Sequence, residues 1–337
     1  MVRAHYWQST VYLILLLEWS VIELDKVELS KELRDPRGVF SIPVTPFKEN
    51  GALDLVSLRR CIEFCIEKGS HGIVLPVNAS EVSTLTDVER DAVMKEGVQV
   101  VDNAVPFVAG ITGSSIEQSI ERAKVAEDIG ADSLMAMPSN RIQSAQMVCD
   151  YFGSISDAVQ IPIWIQNNDK QGKLISSETI ISLINDFDNI IYLKEESAFA
   201  GHVISSVVQA LGRKCKSIMG GMGGRYLLDE YRRGSSGTMP AGHFTDIVVN
   251  IWNALDTNKK DKSGNNIISD QGRILWEALL PSLNFENQFG VTAYKWVFWK
   301  RGIIDTPKTR LPSSKPFDKL DSLEMEKIMD RLSPLMT

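Results

Sequence analysis

The sequence is poor in cysteine and histidine, and it has no long run of positive charge. Its 337 residues include four cysteines and four histidines, and 36 basic against 43 acidic residues give a net charge of −7. The cysteines, Cys61, Cys65, Cys149 and Cys215, form no Cys-x-x-Cys pair. A disulfide framework is therefore excluded, and we expect reduced thiols in a cytoplasmic protein. An acidic chain without a basic run is a poor partner for nucleic acid or an anionic membrane, so neither partner is expected.

The sequence also lacks the common motifs of cofactor binding. It contains no His-Glu-x-x-His pattern, no Walker loop and no Asp, Glu and His cluster at metal-ligand spacing, so no metal and no other cofactor is predicted. No Gly-x-Gly-x-x-Gly fingerprint follows the first predicted strand. That absence disfavours an open, doubly wound dinucleotide-binding sheet.

One short apolar run, residues 11–17, lies near the amino terminus after Arg3 and His5. This order weakly suggests a signal peptide, but Glu18 ends the run and no small-residue cleavage site follows. A membrane helix needs about 20 apolar residues. We expect residues 1–36 to be an extension, either an additional amphipathic helix or the product of a misassigned start codon, and assign them no function.

From residue 37 onward, short runs rich in Val and Ile alternate with longer segments of helical period. Apolar residues of the first such segment, including Leu55, Leu58 and Ile62, recur as they do on one face of a helix. Alternating strands and helices predict βαβ units in a parallel sheet. The predicted strands are residues 39–44, 72–76, 107–110, 133–137, 161–166, 190–194, 217–220 and 237–241.

Eight units of this kind fit one closed α/β architecture, the (β/α)8 TIM barrel, which we predict for residues 37–242. After the barrel the sequence has helical patterns and no further strand pattern. Residues 243–337 are therefore predicted to be helices packed on the barrel. In such a barrel the catalytic side chains lie at the carboxyl ends of the strands and in the loops that follow them.

Lys194 is the most notable residue at a predicted strand end, because it terminates the apolar run 190–194. Burial lowers the pKa of a lysine, and a lysine amine that is uncharged can form a Schiff base with a carbonyl. The alternative is a structural lysine that pairs with Glu195 or Glu196.

The chain from about residue 37 to 312 resembles the dihydrodipicolinate synthase and N-acetylneuraminate lyase family of class I aldolases. The resemblance implies a TIM barrel with trailing helices, a homotetramer or homodimer, and an imine between Lys194 and a 2-oxo acid. The motifs that carry it are Val44-Thr45-Pro46-Phe47, Val77-Asn78-Ala79-Ser80-Glu81, Val108-Ala109-Gly110 and Tyr192-Leu193-Lys194-Glu195.

Three departures from the family pattern affect the expected proton relay. Family members carry hydroxyl side chains where this sequence has Asn78, Asn140 and Gln166. A carboxamide forms hydrogen bonds but does not titrate, so another group must move protons or the chemistry differs. These departures argue against dihydrodipicolinate synthase itself and suit a substrate that is rich in oxygen.

Few residues remain as replacement acids or bases. His243 follows the eighth predicted strand and is our expected general base, with helix capping or packing as its alternative role. Glu81 matches a family glutamate that is usually structural. The glycine run 220–224 and Arg225 suit either an anion site or a tight turn. Predicted catalytic residues are Lys194, Gln166 and His243, and predicted substrate-binding residues are Thr45, Asn78, Ala79, Ser80, Asn140, Asn167, Gly220 and Gly221.

These observations favour a cofactor-free, aldolase-type lyase that acts on a 2-oxo acid, such as pyruvate or a sugar acid, through a Lys194 imine. A dehydratase of a deoxy sugar acid would use the same imine. A non-catalytic ligand-binding protein on an aldolase scaffold is the alternative outside enzymology.

Overall fold

Eight parallel strands close into a barrel in chain order, and each strand pairs with its sequence neighbours. The computed structural model describes residues 35–337 except residues 169, 171 and 313. The predicted TIM barrel is thereby confirmed. The strands are β1 (Gly38–Ser41), β2 (Gly72–Leu75), β3 (Phe107–Gly110), β4 (Ser133–Ala136), β5 (Ile163–Asn167), β6 (Ile190–Glu195), β7 (Ser217–Gly220) and β8 (Gly237–Thr238).

Helices connect successive strands, and several further helices follow the last strand. Side chains cap their first turns: Asp54 accepts the amide of Ser57, and Thr86 forms a capping box with Glu89. The helices are α1 (Leu55–Glu67), α2 (Asp87–Val101), α3 (Ile116–Asp128), α4 (Ala145–Ser156), α5 (Ser177–Asp186), α6 (Ala200–Leu211), α7 (Leu227–Arg232), α8 (Thr245–Leu255), α9 (Asp270–Phe289), α10 (Val291–Lys300) and α11 (Lys319–Leu332).

Some strands are shorter than the apolar runs that predicted them. Pro162 lies directly before β5, and Pro43 and Pro240 lie just beyond β1 and β8. Proline has no amide hydrogen to donate to a sheet, so the regular pairing stops near it. The prediction had extended these strands through the prolines.

The lower interior of the barrel is a packed apolar core. Trp164 and Tyr192 stack there with ring centroids 4.6 Å apart. Side chains alternate along a strand, so Gln166 and Lys194, two residues further along, point into the barrel above this core. The core consists of Phe40, Ile42, Val74, Val77, Val108, Met135, Trp164, Tyr192, Met219 and Met239.

The helices after the barrel are fastened to it by a buried ion pair. Lys295 of α10 pairs with Glu81, which also accepts the backbone amides of Arg310 and Leu311 at 2.8 Å each. Residues 37–337 form one compact unit. In the described part of the chain no helix combines the length and apolar character that a membrane crossing requires. The expectation for residues 1–36 lies outside the described residues, apart from residues 35 and 36.

Candidate active site

A polar cavity of about 370 Å³ lies at the carboxyl ends of the barrel strands. The barrel contributes its floor and one wall, and the helices after the barrel contribute the other wall. Its lining includes Ile42, Val77, Asn78, Ala79, Gln166, Asn168, Lys194, Glu196, Met222, Gly223, Met239 and Ala241 from the barrel, and Asn287, Gln288, Phe289, Gly290, Val291, Tyr294, Leu311 and Ser314 from the chain beyond it.

Lys194 lines this cavity and is 3% exposed. It lies beside Gln166 in the register of β5 and β6. Its Nζ is 3.1 Å from Oε2 of Glu196. Lys194 is thus a cavity lysine that is also ion-paired, so it has the ion pair of the structural alternative and the cavity position that a nucleophile needs.

Glu196 is the carboxylate that organises the site, although the sequence indicated it only as a structural partner. Its Oε2 accepts a hydrogen bond from Nε2 of Gln166 at 2.7 Å. Its Oε1 accepts one from the backbone amide of Met222 at 3.3 Å. Burial alone would raise its pKa, but the charge of Lys194 and hydrogen bonds from Gln166, Lys194 and Met222 outweigh burial and hold the pKa below its usual value. Glu196 is therefore ionised at neutral pH.

The predicted amides separate into two groups. Asn78 and Gln166 line the cavity, as does Ala79. Asn140 is exposed in the loop after β4 and does not line the cavity. The structure therefore brings together only two of the three amides that replace the family's hydroxyls.

Other predicted substrate-binding side chains are buried away from the cavity. Asn167 follows Gln166, so it faces the opposite side of the strand, where it bonds to the backbone of Ile175 and to Glu195. Ser80 donates to the carbonyl of Pro43 at 2.9 Å. Thr45 is fully buried, and its hydroxyl has no hydrogen-bond partner among the described residues. None of the three lines the cavity.

His243 lies in the short 3-10 helix Gly242–Phe244 and is 1% exposed. Its Nε2 is 3.1 Å from Oε1 of Glu286, and its ring packs against Phe244 and Tyr294 at centroid distances of 4.6 and 5.0 Å. It does not line the cavity. The position matches the packing role that we gave as the alternative to general base.

The predicted glycines make room for carboxylates. A Cβ on Gly220 would overlap the Glu230 carboxylate, and a Cβ on Gly221 would overlap that of Glu196. Neither glycine lines the cavity, whereas Gly223 does. Arg225 bonds to helix α9, because its guanidinium donates hydrogen bonds to the Leu283 carbonyl and the Asn287 side chain. The run therefore fits the tight-turn interpretation.

Tyr294 of α10 is a cavity residue that the sequence did not indicate. Burial, with smaller contributions from Glu286 and Glu196, raises the pKa of its phenol well above the usual value. The phenol therefore keeps its proton at neutral pH and is a hydrogen-bond donor toward the cavity. It lies 100 residues from Lys194 in the chain, so no local pattern could have associated the two.

Glu195 points away from the cavity. Its carboxylate accepts Nδ2 of Asn167 and the backbone amide of Ser197, each at 2.8 Å. Burial is the largest influence and raises its pKa to about 7, although the hydrogen bonds from Ser197 and Asn167 oppose it. The neighbouring glutamates on β6 and its loop thus differ, because Glu196 faces the cavity and Glu195 faces the packed exterior of the barrel.

A TIM barrel with a buried lysine at the mouth, within a polar cavity, defines an enzyme of the class I aldolase type. The chain belongs to the dihydrodipicolinate synthetase family, whose sequence model matches residues 35–224. The resemblance drawn from the motifs is confirmed.

Individual relatives differ in how much of the chain they match. The chain is 27% identical over 304 residues to an L-2-keto-3-deoxyarabonate dehydratase from Azospirillum brasilense, covering 88% of this chain and 95% of the relative. It is 34% identical over 162 residues to a 4-hydroxy-tetrahydrodipicolinate synthase from Persephonella marina, covering 48% of this chain and 55% of that relative. The dihydrodipicolinate synthase structure from Rhodopseudomonas palustris superposes with a TM-score of 0.80 at 23% identity over 88% of this chain and 98% of that one, a likeness of fold.

Proposed function

We propose that this enzyme dehydrates a 2-oxo-3-deoxy sugar acid through an imine on Lys194. The observation that carries the proposal is the Lys194–Glu196 pair, whose Nζ and Oε2 lie 3.1 Å apart at the wall of a polar cavity. Lysine supplies the nucleophile for a ketone, and the carboxylate supplies a proton acceptor beside it.

The first step joins the amine to the substrate. Glu196 takes a proton from the Lys194 ammonium, and the neutral nitrogen then forms a bond to C2. The ketone oxygen receives one proton from the nitrogen and one back from Glu196, and it leaves as water. The resulting iminium keeps a positive charge next to Glu196 and acts as an electron sink for C3. Glu196 is held by Gln166 and by the Met222 amide, which fixes its orientation before the substrate arrives.

The second step removes a proton and a hydroxyl group. Glu196 takes a proton from C3, the electron pair forms an enamine, and the enamine expels the C4 hydroxyl. The same proton passes from Glu196 to the departing oxygen, so water leaves and no net proton is consumed. A second water then hydrolyses the iminium, which restores the ketone at C2 and frees Lys194. A carboxyl with a lowered pKa returns a proton readily, which suits this transfer.

The composition of the cavity supports an oxygen-rich substrate. Asn78 and Gln166 present amides, and Tyr294 presents a phenol. The volume of about 370 Å³ lies within the range of small-molecule sites, about 300–1,000 Å³. Dehydration needs no titrating tyrosine relay, which agrees with amides at the positions where the family has hydroxyls. A relative that covers 88% of the chain is named as a dehydratase, L-2-keto-3-deoxyarabonate dehydratase.

Cleavage of a carbon–carbon bond is the second candidate. It would use the same imine to release pyruvate, and the class I aldolase type of the family favours it. It would require a group to take a proton from the C4 hydroxyl, and Glu196 is the carboxylate in reach of the imine among the described lining residues.

We place this enzyme in the cytoplasm as a homotetramer or homodimer. Support for the compartment comes from the four cysteines, which are all free. Support for the assembly comes from the family, whose members commonly associate.

Product analysis tests the proposal. The enzyme is incubated with five- and six-carbon 2-oxo-3-deoxy sugar acids, and the products are followed by proton NMR. Dehydration gives a product that keeps the whole carbon chain and has lost one water, whereas cleavage gives pyruvate and an aldehyde. We expect dehydration by the wild type and by Lys216→Ala, an exposed-lysine control, and none by Lys194→Ala. Pyruvate as the product, or turnover by Lys194→Ala, would contradict the proposal.

A further inference from the structure

A second cavity of about 330 Å³ adjoins the Lys194 cavity. Val77, Asn78 and Gln166 line both spaces. The second cavity extends from these shared residues toward the loop after β3 and the first turns of α2 and α3. Its charged lining residues are Arg90 and Arg122.

Arg90 is a buried cation that has no ion-pair partner among residues 35–337 as the structure describes them. It is 4% exposed, and its Nη2 donates to the carbonyls of Gly110 and Thr112 at 3.1 and 3.3 Å. Its Nε has no hydrogen-bond partner, and no carboxylate of the described residues forms an ion pair with it. Burial lowers its pKa to about 10, so it remains charged at neutral pH. A buried charge in this state is costly unless something compensates it.

Arg122 brings a second guanidinium to the same place. It donates to the Thr112 carbonyl, which Arg90 also contacts, and its Nη2 lies 2.8 Å from the largely exposed Asp87 carboxylate. Its Nε is likewise buried without a hydrogen-bond partner in the described chain. The two arginines repel each other, with Asp87 and Asp91 acting on Arg90 at longer range. The arrangement places two guanidinium groups at the lining of one cavity.

We propose that the cavity at Arg90 and Arg122 is an oxyanion-binding subsite for a carboxylate or phosphate group. Guanidinium groups bind such oxyanions through planar pairs of charge-assisted hydrogen bonds. An oxyanion here would pair with Arg90 and reduce the repulsion between the two arginines. The group belongs either to the far end of a substrate held at Lys194 or to a separate small anion. The first source rests on the proposed function, and the second does not.

Calorimetry on the full chain tests the subsite directly. Inorganic phosphate and succinate are titrated into the protein at an ionic strength fixed with chloride. We expect saturable binding of at least one probe by the wild type, weakened at least about tenfold in Arg90→Gln and Arg122→Gln because each loses a charge-assisted contact. Arg59→Gln, an exposed arginine paired with Glu96 on the helices of the barrel's outer face, should bind like the wild type.

Two results would overturn the subsite: no saturable binding of either probe, or equal affinity in the wild type and in Arg122→Gln. Arg122 is the safer variant, because its side chain is 16% exposed, and it keeps the test decisive if Arg90→Gln fails to fold. The Lys194→Ala protein should bind phosphate as the wild type does. Loss of turnover without loss of phosphate binding would therefore refute only the proposed function.

Kinetics then identify the source of the anion. If the subsite holds the far end of the substrate, Arg122→Gln raises KM for 2-oxo acids that carry a distal carboxylate and leaves KM unchanged for those with a neutral end. If it holds a separate anion, phosphate binds while a neutral-ended substrate is turning over and does not compete with it. Either pattern supports the subsite and assigns its ligand.

Discussion

The described part of the chain contains two buried lysine–glutamate pairs that have opposite surroundings. Lys194 and Glu196 are at the wall of a polar cavity, with Nζ and Oε2 separated by 3.1 Å. Lys295 and Glu81 join α10 to the loop after β2, and both side chains are fully enclosed. The same two residue types thus lie beside a cavity in one place and form a cross-link in the other, and the difference is whether open space adjoins the amine.

The Lys295–Glu81 pair has no contact with solvent, because both side chains are 0% exposed. Nζ of Lys295 also donates to the Lys308 carbonyl at 2.8 Å and lies 4.1 Å from the ring centroid of Phe47. Burial lowers the pKa of Lys295 to about 8, although Glu81 opposes the change. A lowered pKa therefore does not by itself make a lysine a nucleophile, because the amine must also reach a carbonyl.

Replacing the cavity lysine should have the largest effect on activity and little effect on stability. We expect Lys194→Ala to lower kcat/KM by more than about 10⁴-fold, because the covalent route is lost. The melting temperature should stay close to that of the wild type, since the cavity offers water to the remaining Glu196 carboxylate. Steady-state kinetics and calorimetric melting measure the two effects. Near-normal activity of Lys194→Ala would contradict the catalytic role that distinguishes the Lys194–Glu196 pair from the Lys295–Glu81 pair.

Replacing the enclosed lysine should reverse the pattern. Lys295→Met leaves Glu81 buried without its counter-ion, and we expect a loss of about 3–5 kcal/mol in the free energy of unfolding. Denaturant titration gives this value. The control is Lys300→Met, whose pair with Glu326 has side chains 34% and 43% exposed, and it should cost at most about 1 kcal/mol. Equal costs for the two variants would contradict the structural role of the enclosed pair.

The partner glutamate sharpens the comparison within the cavity. Glu196→Gln keeps a side chain of similar shape but cannot accept a proton, so we expect kcat to fall by about 10²–10⁴-fold. The matched control is Glu195→Gln, since Glu195 faces away from the cavity, and its kcat should be unchanged. A larger loss of activity in the control than in Glu196→Gln would show that the wrong carboxylate has been assigned.

The smallest expected effect concerns stability against pH. The folded pKa of Glu195, about 7, is above its unfolded value. The stability that Glu195 contributes is therefore fully present below the unfolded pKa of about 4.3 and is lost as pH rises through the folded pKa. Glu195→Gln removes this dependence, so at pH 8 it should exceed the wild type by up to about 3 kcal/mol, and at pH 4 it should not. Unfolding titrations across this range measure the difference, with exposed Glu121→Gln as the control. A steeper decline in Glu195→Gln would contradict the direction given.

The sequence predicted the barrel because its strands and helices differ in periodicity, a local property. It predicted Lys194 as an inward residue because the lysine ends an apolar strand, and the same alternation would have separated Gln166 from Asn167. The positions of Asn140 and His243 could not be obtained this way. They follow strands, and side-chain direction there depends on distant partners such as Glu286. The cavity position of Tyr294 was not predicted for the same reason. Helix α10 follows the barrel in the chain, and only the tertiary fold brings it to the cavity.

The most direct measurement is the location of a trapped imine. The enzyme is incubated with pyruvate and borohydride, digested, and mapped by peptide mass spectrometry. We predict a reduced pyruvate adduct on Lys194 and an unmodified Lys295, because only the first amine faces the cavity. An adduct on Lys295, or none on Lys194 in a folded protein, would contradict the account.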